Sequence, residues 1–175
     1  MVKFEKLWKN HPTITGDNEP CSKNGKSNFG NQCAIRVGVA LRQCGVDTTK
    51  IPGAEHCWYH NKKEGHILRA EQLANGLIKK RIHGIQEAKI LEPKNYKQLI
   101  SGKTGIIFFK DYWPREINDK KESFQNRSGD HIDLWNGSRI TDWKTWVRIQ
   151  LGVVAPPFWY DLEKSKQIIF WQVNK

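Results

Sequence analysis

From Asn31 onward the apolar positions recur at helical spacing. At about 100° per residue, Ala34, Val37, Leu41 and Cys44 fall on one stripe, and Ile35 and Val39 on a second. Arg36 and Gln43 are left on a narrow polar strip between them. A helix apolar on two sides is mostly buried, and Gly45 ends it by supplying a left-handed C-terminal position. The run "DTTKIPGAEHCWYHNKKEG" then reads as a long loop. A second helix, "HILRAEQLANGLIKK", follows Gly65, with Leu73 and Leu77 at helical spacing to cover a sheet. The first 28 residues are rich in Pro, Asn, Gly and Lys and read as a strand or turn and an irregular lead-in.

The second half of the chain changes character. "TGIIFFKDYW" (104–113), "HIDLWNG" (131–137) and "KQIIFWQV" (166–173) are rich in Ile, Phe and Trp and read as strands. Asn136-Gly137 is a hairpin signal, predicting a return strand from near Ser138. The polar stretch "PREINDKKESFQNRSGD" is a surface loop. Helices first and strands after give an α+β class. At 175 residues, with no internal repeat, the expectation is a single domain over 1–175.

Composition narrows the picture. No apolar run approaches the roughly 20 residues of a membrane helix, and "MVKFEKLWKNHP" lacks the apolar stretch of a signal peptide. The expectation is a chain made in the cytoplasm without a Sec signal and not inserted in a membrane. The net charge of +11 favours polyanions such as nucleic acid, anionic lipid or a carboxylate-rich cell wall. The basic residues are scattered, with no Arg-rich helix or RNA-binding aromatic motif, so no specific nucleic-acid partner is expected.

Cys33 stands in the first turn of its helix, at the edge of the apolar stripe. Unpaired N–H groups and the positive end of the helix dipole favour thiolate there, and the same groups can stabilise an oxyanion. A thiolate nucleophile needs a proton donor and a third group to orient it. His131 opens a predicted strand after the flexible "SGD", and Asp142 lies on the predicted return strand, within reach of an imidazole. Asp133 shares a strand face with His131 and is the alternative for contacting the base or the substrate. Asp130 points to the opposite face and is expected to be solvated.

The blocks "GNQCAIRVGVALRQCGVD", "GHILRAEQLANGL" and "SGDHIDLWNGSRIT" resemble, in order and spacing, those of the fourth subfamily of type VI secretion amidase effectors. That family lies within the papain-like NlpC-type cysteine peptidases. The resemblance implies a nucleophile-bearing helix packed on an antiparallel sheet, with the catalytic set falling on Cys33, His131 and Asp142. It further implies a peptidoglycan amidase that cuts the γ-D-glutamyl–meso-diaminopimelate bond of stem peptides. Its implied partners are the type VI apparatus and a cognate immunity protein, and its implied place of action is the periplasm of a rival bacterium. A non-catalytic wall-binding or interaction protein on the same fold is the alternative.

Of the remaining cysteines, at most one pair among Cys21, Cys44 and Cys57 can bridge if Cys33 stays a thiol. Cys44 with Cys57 is the first expectation, with the connectivity left open. His56, Cys57, His60 and His66, together with Cys44, are metal-ligand types, but their spacing matches none of the common paired patterns, so neither metal nor cofactor is expected. Trp58, in the long loop, is the aromatic expected to line a substrate groove. "SGKTG" fails as a phosphate loop, because Lys97 holds the position of the required first glycine and a strand follows.

Overall fold

The computed structural model describes residues 1–142 and 162–175. Its helices are α1 (Phe4–Lys9), α2 (Pro12–Thr15), α3 (Cys33–Gln43), α4 (Ala70–Lys79) and α5 (Tyr96–Leu99). Its longer strands are β3 (Ile85–Leu91), β4 (Gly105–Trp113), β7 (Gly129–Trp135) and β8 (Gln167–Val173). Two small hairpins complete the set: β1 (Ser22–Lys23) with β2 (Lys26–Ser27), and β5 (Glu116–Ile117) with β6 (Lys120–Lys121). Each turns on a pair of residues with positive φ, Asn24-Gly25 and Asn118-Asp119, the conformation that matches the twist of paired strands.

The long strands form one antiparallel sheet in the order β3-β8-β4-β7. Alternation along the strands divides two apolar clusters. Ile106, Phe108, Ile132, Leu134 and Trp171 pack with Leu7, Val37, Leu41 and Leu73 from the helices. Ile107, Phe109, Trp135 and Phe170 pack with Tyr96, Ile100, Ile140 and Leu162. The helix α3 runs against β7, the strand at one edge, which brings the start of the helix to the middle of that strand.

Four expectations are corrected. The lead-in contains α1 and α2, because Phe4 and Leu7 are spaced to bury one face of a helical turn and Pro12 occupies the first position of the next. The helix α4 starts at Ala70 rather than His66, since Cys57 and Leu68 donate their N–H groups across a short bridge between 55–57 and 66–68. The strand β3 was unmarked by apolar alternation. Beyond Asn136-Gly137, the pairing among the described residues is a single bridge, Trp135 with Ile140, rather than a return strand. Anything of that strand past Asp142 lies outside the described residues. No helix among the described residues is long and apolar enough to cross a membrane.

Candidate active site

Cys33 is the first residue of α3, and its backbone N–H donates to Asn31 Oδ1 at 3.1 Å. Gln32, just before it, fixes the entry to the helix. The Gln32 side-chain amide accepts from the Cys21 N–H at 2.8 Å and donates to the Cys21 carbonyl at 3.1 Å. The thiol is 5% exposed. Burial opposes its ionisation, but the His131 ring and the Ile132 N–H outweigh burial and hold the Cys33 pKa below its ordinary value.

His131 and Asp133 alternate with Ile132 and Leu134 along β7, so they share a face and meet each other. His131 Nε2 lies 3.5 Å from Asp133 Oδ2. The ring stacks on Phe109, its cross-strand partner, with centroids 6.4 Å apart, and Tyr112 approaches it edge-on. Burial disfavours the charged ring, yet Asp133 and Cys33 together raise its pKa to about 10. Asp133 is 3% exposed. Burial pushes its carboxyl up, but His131, then His11 and Thr141, bring it down to about 2. The result is a thiolate–imidazolium pair backed by a carboxylate.

The structure therefore brings Cys33, His131 and Asp133 together. Asp142, expected to orient the histidine from a regular return strand, is not among the described contacts of the His131 ring. Among the described residues, the pairing beyond the turn is the Trp135–Ile140 bridge. The Asp133 carboxylate is engaged within the fold. Thr141 Oγ1 donates to its Oδ1 at 2.5 Å, and the Leu134 N–H donates to the same oxygen at 2.7 Å. His11 Nε2 lies 3.6 Å from Oδ1. Burial lowers the His11 pKa to about 4, so that ring is neutral near pH 7.

His11 and Thr141 join the site through Asp133. Thr141 follows from counting back across the Asn136-Gly137 turn, whereas nothing in the local spacing of the lead-in marks His11. Asp130, expected to be solvated, is half-buried, and its Oδ1 accepts the Asp111 N–H at 2.9 Å. Trp58 is 67% exposed and meets the Phe29 ring edge-on at 5.3 Å, four residues upstream of Cys33. All four cysteines are free thiols. The sulfur facing Cys57 is Cys21, while Cys44 lies against Asn10, which corrects the expected Cys44–Cys57 pairing.

A cysteine at a helix start, set against a histidine and a carboxylate on the edge strand of an antiparallel sheet, defines a cysteine hydrolase consistent with the papain-like NlpC superfamily. The chain belongs to the family of type VI secretion system amidase effector protein 4 (Tae4), whose model matches residues 29–171. It is accordingly an amidase and a type VI secretion effector. Its fold is similar to that of the crystal structure of the type VI effector Tae4 from Enterobacter cloacae. The TM-score is 0.63 at 15% identity, covering 100% of this chain and 98% of that one. No curated protein matches the chain.

Proposed function

We propose that the protein is a peptidoglycan amidase toxin that cuts the γ-D-glutamyl–meso-diaminopimelate bond in the periplasm of a rival bacterium. The observation that carries the mechanism is the Cys33–His131–Asp133 alignment in a chain of the amidase family. Cys33 thiolate attacks the amide carbon, and the positive end of the α3 dipole favours the oxyanion. His131 gives its proton to the leaving diaminopimelate amine, forming a γ-glutamyl thioester. It then takes a proton from the water that hydrolyses the thioester, so that the sulfur leaves as thiolate, the glutamyl acid loses its own proton to solvent, and the thiolate–imidazolium pair is restored. Asp133 keeps the ring oriented and charged. Trp58, exposed beside Phe29, is the aromatic surface offered to the substrate.

Delivery by the type VI apparatus makes an export signal of the Sec type unnecessary. A hydrolase harmful to its producer's kin calls for an immunity protein that covers the cleft. The bond assignment rests on the family, and the test is direct. Diaminopimelate-type sacculi are digested with wild type and with Cys33→Ala, and the released fragments are read by mass spectrometry. Fragments ending in D-glutamate, absent with the variant, are expected. Equal digestion by both, or cleavage at another bond, overturns the reading.

A further inference from the structure

A second group of reactive side chains lies apart from the Cys33 site. Cys21 comes from the lead-in to α3, and Cys57, His60 and His66 come from the long loop between α3 and α4. One ligand-type atom from each lies within 4.8 Å of all the others. The sulfurs of Cys21 and Cys57 are 3.3 Å apart, and His60 Nδ1 is 3.5 Å from each of them. The rings of His60 and His66 have centroids 4.3 Å apart. A tetrahedral zinc with Zn–S near 2.3 Å and Zn–N near 2.0–2.1 Å separates its ligand atoms by about 3.4–3.8 Å. The separations among Cys21, Cys57 and His60 lie within about half an ångström of that range, and the His66 nitrogen is within 4.8 Å of all three.

The surroundings suit a closed metal centre. Cys21, Cys57 and His66 are 0%, 1% and 5% exposed, so water has little access. His66 Nδ1 is buried with no hydrogen-bond partner, a cost that burial of an unpaired polar atom ordinarily forbids. Each sulfur receives an N–H donor: Asn28 Nδ2 at 3.6 Å on Cys21, and the Tyr59 backbone N–H at 3.3 Å on Cys57. Such donors stabilise metal-bound thiolates and orient them. Two thiolates and two neutral imidazoles also cancel the charge of a divalent cation and fill all four positions.

We propose that Cys21, Cys57, His60 and His66 form a structural Zn2+ site. With no open position, the ion serves architecture rather than catalysis. It joins the lead-in to the long loop at the point where the Gln32 amide grips the Cys21 backbone, one residue before Cys33. Ile35 of α3 packs on both sulfur-bearing residues. The metal thereby holds the approach to the nucleophile from outside the cleft. Sequence spacing hid the site because Cys21 stands far from the other three ligands and on the other side of α3.

The full chain, purified from cytoplasm under reductant without chelator, is assayed by inductively coupled plasma mass spectrometry. About one Zn2+ per chain is expected in wild type, Cys33→Ala and Cys44→Ala, and a loss of most of it in Cys57→Ser and His66→Ala. Retention in Cys33→Ala separates this site from the amidase assignment, which can fail without it. Should the ligand variants not fold, wild type alone decides. Stripped of metal and kept reduced, it should take up Co2+ with thiolate charge-transfer and tetrahedral d–d bands, and compete for Zn2+ with a Kd tighter than about 0.1 μM. A reduced chain that binds neither ion overturns the proposal. So does a chain isolated with Cys21 bridged to Cys57 that still binds neither ion once reduced.

Discussion

Asp133 is nearly encased, with His131, Thr141, the Leu134 N–H and His11 around its carboxylate. Asp133→Asn keeps the shape and removes the charge that supports the imidazolium. We expect kcat/KM to fall by about 10²-fold or more, with the alkaline limb of the pH profile moving toward neutrality. Asp142→Asn should stay within a few-fold of wild type, and the reverse ranking would return the orienting role to Asp142. In wild type the rate should rise with pH as Cys33 ionises below its ordinary pKa, then fall as His131 deprotonates toward about 10. The same signs govern stability. The raised His131 pKa stabilises the fold fully below its unfolded value near 6.5, and that contribution is lost as pH rises toward about 10. The lowered Asp133 pKa stabilises above about 3.8, and that contribution is lost as pH falls toward about 2. Cys33 was legible because a first-turn position carries its own electrostatic consequence. Asp133 was legible as far as alternation goes, since that places it beside His131 on one face of β7. His11 was hidden because only tertiary packing brings the lead-in to β7.

Among the elements, α3 tolerates a glycine in its middle for a packing reason. A methyl group on Gly38 would lie 2.1 Å from the Gly65 carbonyl oxygen, in the backbone that begins the run to His66. In an open helix Gly→Ala gains about 0.5–1 kcal/mol, whereas overpacking against backbone costs about 1–3 kcal/mol. Gly38→Ala should therefore lower the thermal midpoint, and a raised midpoint would refute the close approach. Asp130 gives an opposite case. Burial raises its pKa to about 6, and it accepts the N–H of Asp111, which sits at positive φ where β4 slips register. Asp130→Asn can retain that acceptor without the charge. Melts near pH 7 should show a gain of about 1 kcal/mol, allowing for solvent screening, that vanishes below about pH 4. The strands β4, β7 and β8 were legible because they bury β-branched and aromatic side chains. The polar edge strand β3 was not, because Gln86, Glu87 and Lys89 are exposed and its pairing with β8 alone makes it a strand.

At the scale of the molecule, the net charge is +11, of which Arg36 is the cation that acts on the Cys33 sulfur. The rest should act on encounter with an anionic wall. Sedimentation of Cys33→Ala with sacculi ought to weaken steadily as salt rises, because exposed charges are screened. Adsorption indifferent to salt would remove charge from the account of how the enzyme finds its substrate. The α+β architecture was legible from the change in periodicity between the halves of the chain, since helices and strands bury their apolar residues at different intervals. The order of the strands was not, because nothing local says that β8, last in the chain, inserts between β3 and β4.

That long-range assembly has a further consequence for Cys33. The two groups that make its sulfur reactive, the His131 ring and the Ile132 N–H, are consecutive residues on a strand from the other half of the chain. Before β7 is in register Cys33 is an ordinary thiol, and a slip of one residue would turn the imidazole away from it. The unfolded polypeptide is no more hazardous to a cell than any cysteine-containing peptide. The unfolded state is the safety catch, and folding arms the toxin.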